Sequence, residues 1–208
     1  MKKGLFVTLE GIEGAGKTTA ADFITKYLAK ANIDYILTRE PGGTEIAEKI
    51  RQVLLNHHQE KMHPDTEMLL YFASRAQHLH RVIIPALEEE KWVICDRFTD
   101  ATYAYQGGGR GLSQEKISVL EGWVQGDLRP DYTLLLDVTA KKGFGRIKKD
   151  RELDRLEIEQ EQFYENVRTC YLDRVQKEPG RFRIVDADKS IEEVYKQIEN
   201  ILQQIISD

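Results

Sequence analysis

The feature that most constrains the fold of this chain is an alternation of short apolar runs with longer stretches of helical period. The short runs are continuous rather than alternately apolar and polar, as expected of strands that are covered on both faces. After Lys17, and again near the C-terminus, apolar residues recur at the spacing of one helix face. This alternation predicts an α/β fold, in which a parallel sheet is flanked by helices with right-handed crossovers. The predicted strands are residues 5–9, 35–38, 92–95, 132–138 and 182–185.

Proline and glycine mark two further segments. A long helical stretch opens at Pro64, and we predict that it kinks or ends at Pro85. The glycine-rich residues 107–111 predict a mobile loop, in which Arg110 is as readily structural as functional. Phe72, on one face of the long helix, is expected in the core.

Composition limits the class of protein. With 208 residues, of which 41% are hydrophobic, the chain can fill one core, so we expect a single domain over residues 1–208. The formal net charge of −5 argues against nucleic-acid or membrane binding, although a local basic patch could still hold phosphate. Cys95 and Cys170 lie outside any metal or redox spacing, which favours reduced thiols. The first apolar run ends at Glu10, too early for a signal peptide, and no run approaches ~20 residues. We therefore expect a soluble, cytoplasmic protein.

Residues 11–18 form the strongest motif in the chain. They match the pattern G-x-x-x-x-G-K-[ST], and they follow a predicted strand and open a predicted helix, which is the context of a phosphate-binding P-loop. Glycines let backbone N–H groups surround a phosphate, and the helix N-terminus adds partial positive charge. Lys17 is expected to reach the β- and γ-phosphates, and Thr18 to offer its hydroxyl to Mg²⁺. The predicted phosphate-binding residues here are Gly11, Ile12, Glu13, Gly14, Ala15, Gly16, Lys17, Thr18 and Thr19.

A P-loop alone leaves GTPases, ATPases and small-molecule kinases open. The chain has no Asn-Lys-x-Asp motif for guanine, and residues 187–190 do not supply one. It also lacks the long second half expected of an ATPase motor. A kinase for a small acceptor fits the size best, because phosphoryl transfer mainly needs positioning and charge neutralisation.

A second candidate anion site follows the strand predicted at residues 92–95. Asp96 could hold a water of a Mg²⁺ shell, and Arg97 could clamp a second phosphate; the alternative is a structural pair at a strand end. Asp137, which ends another apolar run, is a lower-ranked candidate for the metal-facing acid. Residues 39–44 combine a strand end, a tight turn and a helix start, and by themselves they are equally consistent with a plain turn.

Taken together, residues 11–18, 39–43, 96–98 and 104–107 occur in the order and spacing seen in the thymidylate kinase family. The resemblance runs from about residue 5 to residue 185 and is to the bacterial type, whose basic residues lie in a lid. It implies the three-layer P-loop nucleoside monophosphate kinase fold, with a five-stranded parallel sheet flanked by helices, in a homodimer. It also implies transfer of the γ-phosphoryl group of ATP to dTMP, with Mg²⁺, giving dTDP and ADP for dTTP biosynthesis.

The resemblance also assigns residues to the acceptor. Glu13 matches the carboxylate that faces the sugar 3′-hydroxyl, and Arg51 and Arg97 match the pair that grips the acceptor phosphate, where planar guanidiniums can bind bidentately. Tyr71 matches the aromatic residue that stacks on thymine, and Arg75 the residue that donates to a carbonyl oxygen of the base. The implied dTMP-binding residues are Glu13, Glu40, Arg51, Tyr71, Arg75, Arg97, Thr102, Tyr105 and Gln106.

Three of these residues belong to one motif. Thr102 and Gln106, four residues apart, fall where relatives contact the base edge, and Gln106 can both donate and accept hydrogen bonds. Tyr105 matches the side chain beside the sugar 2′ position, where bulk disfavours a ribonucleotide.

Residues 143–155 are dense in charge of both signs and match the family's lid, which closes over ATP. Arg151, supported by Arg146, is expected to bring positive charge to the transferring phosphoryl group. With Lys17, Arg97 and Glu13, Arg151 completes the implied catalytic set.

Two rival functions remain open from the sequence. One is a kinase for another monophosphate, such as UMP, CMP or dUMP, and the other is a regulator that binds ATP without transferring phosphate. A transition-metal site is not expected, because the five histidines show no ligand spacing. They are His57, His58, His63, His78 and His80.

Overall fold

The sheet of the protein contains five parallel strands in the order β2-β3-β1-β4-β5 in the computed structural model, which describes residues 4–146 and 159–207. Each strand lies within one residue of its predicted bounds, so the predicted α/β fold with a parallel sheet is confirmed. The strands are β1 (Phe6–Glu10), β2 (Tyr35–Arg39), β3 (Trp92–Asp96), β4 (Tyr132–Asp137) and β5 (Phe182–Asp186).

Helices flank the sheet, and the long ones contribute apolar side chains to the buried core. The last helix has the strongest apolar stripe, carried by Val194, Ile198, Leu202 and Ile205. The helices described are α1 (Lys17–Lys30), α2 (Glu45–Leu55), α3 (Pro64–His78), α4 (Ile84–Glu88), α5 (Thr99–Thr102), α6 (Gln114–Gln125), α7 (Ala140–Arg146), α8 (Glu161–Lys177) and α9 (Ile191–Ser207).

The long helical stretch does not end at Pro85. Instead, a π-helical turn at Leu79–Ile83 joins α3 to α4, and Pro85 lies in the first turn of α4. Proline has no N–H to donate to the carbonyl four residues earlier, and a widened turn directly before it accommodates that missing hydrogen bond.

Gly107, Gly108 and Gly109 are not in a loop, so the prediction of a mobile loop is wrong for them, whereas Arg110 and Gly111 follow outside any helix. Tyr103–Gly109 forms a second π-helical turn that packs against α8. A Cβ on Gly108 would lie 2.7 Å from the Cβ of Cys170, and one on Gly109 would lie 2.7 Å from Cζ of Phe163. These glycines are therefore needed for close packing rather than for mobility.

The hydrophobic core lies on both faces of the central strands. All five residues of β1 are buried, and Phe72 is buried as predicted. Cys95 and Cys170 are both buried free thiols. Among residues 4–146 and 159–207, no helix is long and apolar enough to cross a membrane.

The carboxyl ends of β1, β2 and β3 meet at one edge of the sheet. Backbone hydrogen bonds continue the ladder beyond the strands, from the N–H of Glu40 to the carbonyl of Asp96 at 2.9 Å and from the N–H of Arg97 to that of Leu9 at 2.9 Å. The segments with candidate chemistry are thus anchored to the sheet at the edge where ligands bind in such folds.

Candidate active site

One cavity of about 1040 Å³ opens at this edge of the sheet and collects most of the predicted site residues. Gly11 and Ile12 are not in its lining, and Arg151 lies outside the described residues. Its walls also include Ala187, Lys189 and Ile191, which no motif had predicted. The predicted residues that line the cavity are Glu13, Gly14, Ala15, Gly16, Lys17, Thr18, Thr19, Glu40, Arg51, Tyr71, Arg75, Asp96, Arg97, Thr102, Tyr105, Gln106 and Arg146.

The P-loop leads from β1 into α1. Gly16 caps the helix with a left-handed φ of 91°, which a glycine adopts without steric cost. The Nζ of Lys17 donates to the carbonyls of Gly11, at 3.1 Å, and Ile12, at 3.0 Å, so these two residues hold the lysine from behind the cavity. Burial, together with the nearby positive charge of Arg97, lowers the pKa of Lys17 to about 8. The N–H groups of the first turn of α1 and the Lys17 amine suit a phosphate chain.

Asp96, at the end of β3, contributes a carboxylate to the lining of the cavity. Its Oδ1 is buried and has no hydrogen-bond partner among the described residues, although buried carboxylate oxygens are normally satisfied. Thr18 and Thr19, both exposed, add hydroxyl oxygens to the same cavity. Oxygen ligands of this kind fit Mg²⁺, which is usually held by one or two protein groups together with water and phosphate. The described residues contain no cluster of three or more His, Cys, Asp or Glu that could hold a metal alone.

Asp137 has a different environment. Both of its oxygens accept from Arg168, at 2.6 and 2.9 Å, and it does not line the large cavity. Of these two acids, Asp96 lines the cavity beside the P-loop and Asp137 does not.

Arg97, Glu13 and Tyr105 form one cluster beside the P-loop. Nη1 of Arg97 donates to the carbonyl of Gly11 at 2.8 Å, and Nη2 donates to Oε1 of Glu13 at 2.7 Å. Tyr105 donates from its hydroxyl to Oε2 of Glu13 at 2.5 Å, and its ring lies 4.7 Å from the guanidinium carbon. Arg97 itself has a left-handed φ of 69°. A non-glycine residue in this region is strained, and such strain is concentrated at functional sites.

A second buried cluster lies deeper in the cavity. Nε of Arg75 donates to Oε2 of Glu40 at 2.7 Å, and Nη2 donates to Oγ1 of Thr102 at 3.1 Å. Arg75 is only 1% exposed, and its Nη1 has no hydrogen-bond partner among the described residues. A buried guanidinium nitrogen without an acceptor is costly unless a ligand supplies one.

The remaining acceptor-side residues surround these two clusters. Arg51, on α2, donates from Nη1 to the carbonyl of Pro41 at 2.8 Å. Nε2 of the buried Gln106 donates to Oε1 of Glu67 at 2.8 Å. Arg110 binds Glu67 and also Glu159, the latter at 2.5 Å, and is not part of the cavity lining.

Arg146 ends α7 at the donor side of the cavity. Its Nη1 donates to the carbonyls of Ala187, at 3.0 Å, and of Gly14, at 3.4 Å. The remainder of the predicted lid, residues 147–155 with Arg151, lies outside the described residues.

Sequence reasoning missed a layer of buried charged and polar residues behind the site. Glu10 is fully buried, and it accepts from the Tyr171 hydroxyl at 2.7 Å and from the N–H of Phe98 at 2.7 Å. Burial, with the charge of Asp100, raises the pKa of Glu10 to about 8. The sequence did contain one signal for the burial of Glu10, because this carboxylate ends an apolar strand directly before the P-loop. His78, on α3, is also buried and joins this layer through Glu40.

A glycine nest with its lysine and a second set of guanidiniums share one cavity at the edge of a five-stranded parallel sheet. Fold and site together define a P-loop phosphotransferase of the nucleoside monophosphate kinase fold. A family model described as "Thymidylate kinase" matches residues 9–198, and the chain belongs to this family. It is thus an ATP-binding kinase of nucleotide biosynthesis.

Relatives with that name are similar over nearly the whole chain. A thymidylate kinase of Pseudomonas putida is 54% identical and covers 98% of this chain and 97% of its own. One from Ruthia magnifica is 51% identical over 98% of this chain and 99% of its own. The crystal structure of thymidylate kinase from Ehrlichia chaffeensis superposes with a TM-score of 0.78 at 33% identity, covering 96% of this chain and 98% of that one.

Proposed function

We propose that the protein transfers the γ-phosphoryl group of ATP to dTMP, giving ADP and dTDP, for the synthesis of dTTP. The observation that carries this proposal is that Lys17 of the P-loop, together with a second set of basic residues, Arg97 and Arg51, lines one cavity of about 1040 Å³. Two nucleotides bound to these sets would meet at their phosphate ends.

ATP binds on the P-loop side, with its phosphates over the first turn of α1 and beside Lys17. Arg146 closes the P-loop from the α7 side through its hydrogen bond to the Gly14 carbonyl. Thr18 and Asp96, whose Oδ1 is buried and has no hydrogen-bond partner among the described residues, would hold Mg²⁺. When bound, this ion neutralises charge on the phosphate oxygens.

The acceptor dTMP occupies the other side. Arg51 and Arg97 bind its phosphate, and Glu13, which Arg97 and Tyr105 orient, accepts a hydrogen bond from the sugar 3′-hydroxyl. Tyr105 beside the sugar disfavours a 2′-hydroxyl by its bulk.

The base lies deeper in the cavity. The thymine ring stacks on Tyr71, which is worth about 1–3 kcal/mol but does not select a base. Selection comes from Arg75, whose unpartnered Nη1 donates to a carbonyl oxygen of the base, together with Thr102 and Gln106. Glu40 holds Arg75 in place.

Chemistry at this site requires charge neutralisation more than base catalysis, because the acceptor oxygen is already anionic. Lys17 and Arg97 neutralise charge that develops during transfer, and Arg151 of the lid adds to them when the lid closes over ATP.

We also propose that the enzyme is a single-domain, cytoplasmic homodimer that uses neither nucleic acid nor membrane as a partner. Support for the dimer comes from large apolar side chains exposed on the neighbouring helices α3 and α6. They include Leu69, Val119 and Trp123, the last 81% exposed. The oligomeric state of the parent protein and of Trp123→Glu, measured by light scattering, tests this: a monomeric parent would contradict it.

A coupled assay of ADP release with Mg²⁺-ATP and a panel of monophosphates tests the main proposal. We expect fast turnover with dTMP and weaker turnover with dUMP. One methyl group is worth only about 1–3 kcal/mol, so a preference of about 10- to 200-fold is expected. A higher kcat/KM for UMP or CMP would favour the rival kinase, and ATP binding without acceptor-dependent turnover would favour the regulator.

A further inference from the structure

His78 is a fully buried histidine that the phosphoryl-transfer chemistry does not use. It is the last residue of α3 and has no exposed surface. Its Nδ1 lies 3.0 Å from Oε1 of Glu40, and its Nε2 lies 2.6 Å from Oγ1 of Thr38. Both ring nitrogens therefore have partners, of which Thr38 lies in β2 and Glu40 follows directly after that strand.

The chemistry of these partners fixes the direction of the hydrogen bonds. An ionised carboxylate only accepts, so Nδ1 carries a proton and donates to Glu40. In the neutral ring, Nε2 then has no hydrogen and accepts from the Thr38 hydroxyl. The contact with Glu40 thus requires a proton on Nδ1 of His78.

Glu40 connects His78 to Arg75, the arginine of the proposed base pocket. Its Oε1 accepts from His78 and its Oε2 from Nε of Arg75, at 2.7 Å, so each oxygen has its own donor. The guanidinium is fixed at its other side by Thr102. Its remaining nitrogen, Nη1, is buried and has no hydrogen-bond partner within residues 4–146 and 159–207. If His78 gave no hydrogen bond, Oε1 would be left unpaired and the carboxylate could turn towards Arg75, which would change the direction of Nη1.

The position of the imidazole ring is also fixed sterically. A Cβ on Gly43 would lie 2.6 Å from both Cδ2 and Nε2 of His78, so the backbone of the turn at residues 41–43 packs directly on the ring. The buried relay from Thr38 through His78 and Glu40 to Arg75 is therefore held by packing as well as by hydrogen bonds.

We propose that His78 is a positioning residue for base selection, which acts by holding Glu40 so that Arg75 presents Nη1 to the carbonyl oxygen of the acceptor base. This inference rests on the proposed function, since it takes the acceptor to be a pyrimidine nucleotide.

Two matched variants separate positioning from mere filling of space. In His78→Asn, the side-chain amide nitrogen occupies about the place of Nδ1 and can still donate to Glu40. In His78→Gln, the amide lies nearer the place of Nε2 and leaves Oε1 of Glu40 without its donor. Because a hydrogen bond to a charged group is lost, we expect KM for dTMP to rise about 10- to 100-fold in His78→Gln and to stay within about threefold in His78→Asn. The kcat and the KM for ATP should change little in either.

Selectivity gives the second readout. dCMP carries an amino group where dTMP has its 4-carbonyl, so a well-aimed Nη1 disfavours dCMP. The ratio of kcat/KM for dTMP to that for dCMP should fall in His78→Gln and be retained in His78→Asn. Equal ratios and equal KM values in the parent and His78→Gln would overturn the proposal.

A spectroscopic test covers the case in which His78→Gln fails to fold. The ¹⁵N chemical shifts of His78 in the parent protein should show Nδ1 protonated and Nε2 unprotonated, and Thr38→Val should weaken that preference and raise the KM for dTMP by a smaller factor. An Nε2–H tautomer in the parent would overturn the proposal. If the parent shows no dTMP-dependent turnover, the proposed function fails instead, and the tautomer measurement still reports on the relay.

Discussion

Arg97 donates to Glu13 at 2.7 Å, although the two residues are 84 positions apart in the sequence. One follows β3 and the other lies within the P-loop, so the adjacent parallel strands β1 and β3 bring the acceptor-phosphate arginine to the loop that binds the donor. The pair is mostly buried, with 18% and 14% of the two side chains exposed. An ion pair therefore connects the acceptor-phosphate arginine to the P-loop of the donor side in the ligand-free protein.

Replacement of Arg97 should affect turnover far more than stability. For Arg97→Ala we expect kcat to fall by about 100-fold or more, because a preorganised cation at the transferring phosphoryl group is lost. Arg97→Lys keeps the charge without the planar fork and should recover only part of the rate. ADP release in the presence of dTMP measures both, and parental rates in Arg97→Ala would remove Arg97 from the site.

The left-handed backbone of Arg97 gives a matched stability control. Arg97→Gly removes the same side chain as Arg97→Ala but relieves the strain of φ 69°. The glycine variant should be as inactive as the alanine variant yet more resistant to urea, by about 1 kcal/mol. Equal stability of the two would show that the conformation carries no strain.

Binding of ATP should be accompanied by proton uptake near pH 8. Burial lowers the pKa of Lys17 to about 8 in the ligand-free enzyme, so about half of the molecules hold a neutral amine at that pH. Phosphate charge raises the pKa again, and the amine then takes up a proton. Titration calorimetry at pH 8 in two buffers of different ionisation enthalpy should reveal this uptake, and Lys17→Met should abolish it. A parent enthalpy that is independent of buffer contradicts the prediction.

Glu10 should make the folded state less stable as the pH rises. Its pKa is raised from 4.5 to about 8, so between these values the folded state binds a proton that the unfolded state has lost. The contribution of Glu10 to the free energy of unfolding is therefore largest below about pH 4.5 and declines through pH 8, by at most about 1.4 kcal/mol per pH unit. Glu10→Gln removes the titration while keeping an acceptor for the N–H of Phe98.

Urea unfolding of the parent and of Glu10→Gln at several values between pH 5 and 9 checks this. The two proteins should be closest in stability at the acid end, and the advantage of the glutamine variant should grow with pH. A difference that stays constant across this range would show that Glu10 does not titrate in it.

Two glycine-to-alanine changes should have opposite signs. Gly109→Ala forces a methyl group to within 2.7 Å of Phe163 and should cost about 1–3 kcal/mol. Gly122→Ala, at an exposed position of α6 where no heavy atom of the described residues lies within 4 Å of the new Cβ, should stabilise the single chain by about 0.5–1 kcal/mol. Because Gly122 shares a helix face with Val119, a loss of stability instead would indicate that the proposed dimer contact covers this position. Thermal or urea unfolding measures both, and a neutral Gly109→Ala would mean that the π-helical turn can move away from α8.

Local signals explain why most of the fold and the P-loop could be predicted. Strands such as β1 and β4 are continuous apolar runs because both faces of the sheet are covered, and the P-loop is a contiguous motif between a strand and a helix. The pairing of His78 with Glu40 could not be predicted in the same way, because it joins residues 38 positions apart and leaves no periodic trace. The three glycines at 107–109 were misinterpreted as a loop because composition does not distinguish flexibility from close packing.

The contact between Gly43 and the imidazole of His78 has a consequence for altering this enzyme. Any side chain at position 43 must adopt a φ of 85° and would overlap the ring. Positions 43 and 78 are therefore sterically coupled. Mutational libraries that aim to change the base preference should vary the two positions jointly. A side chain at position 43 alone would clash with the imidazole, so larger groups there are accommodated only together with a smaller residue at position 78.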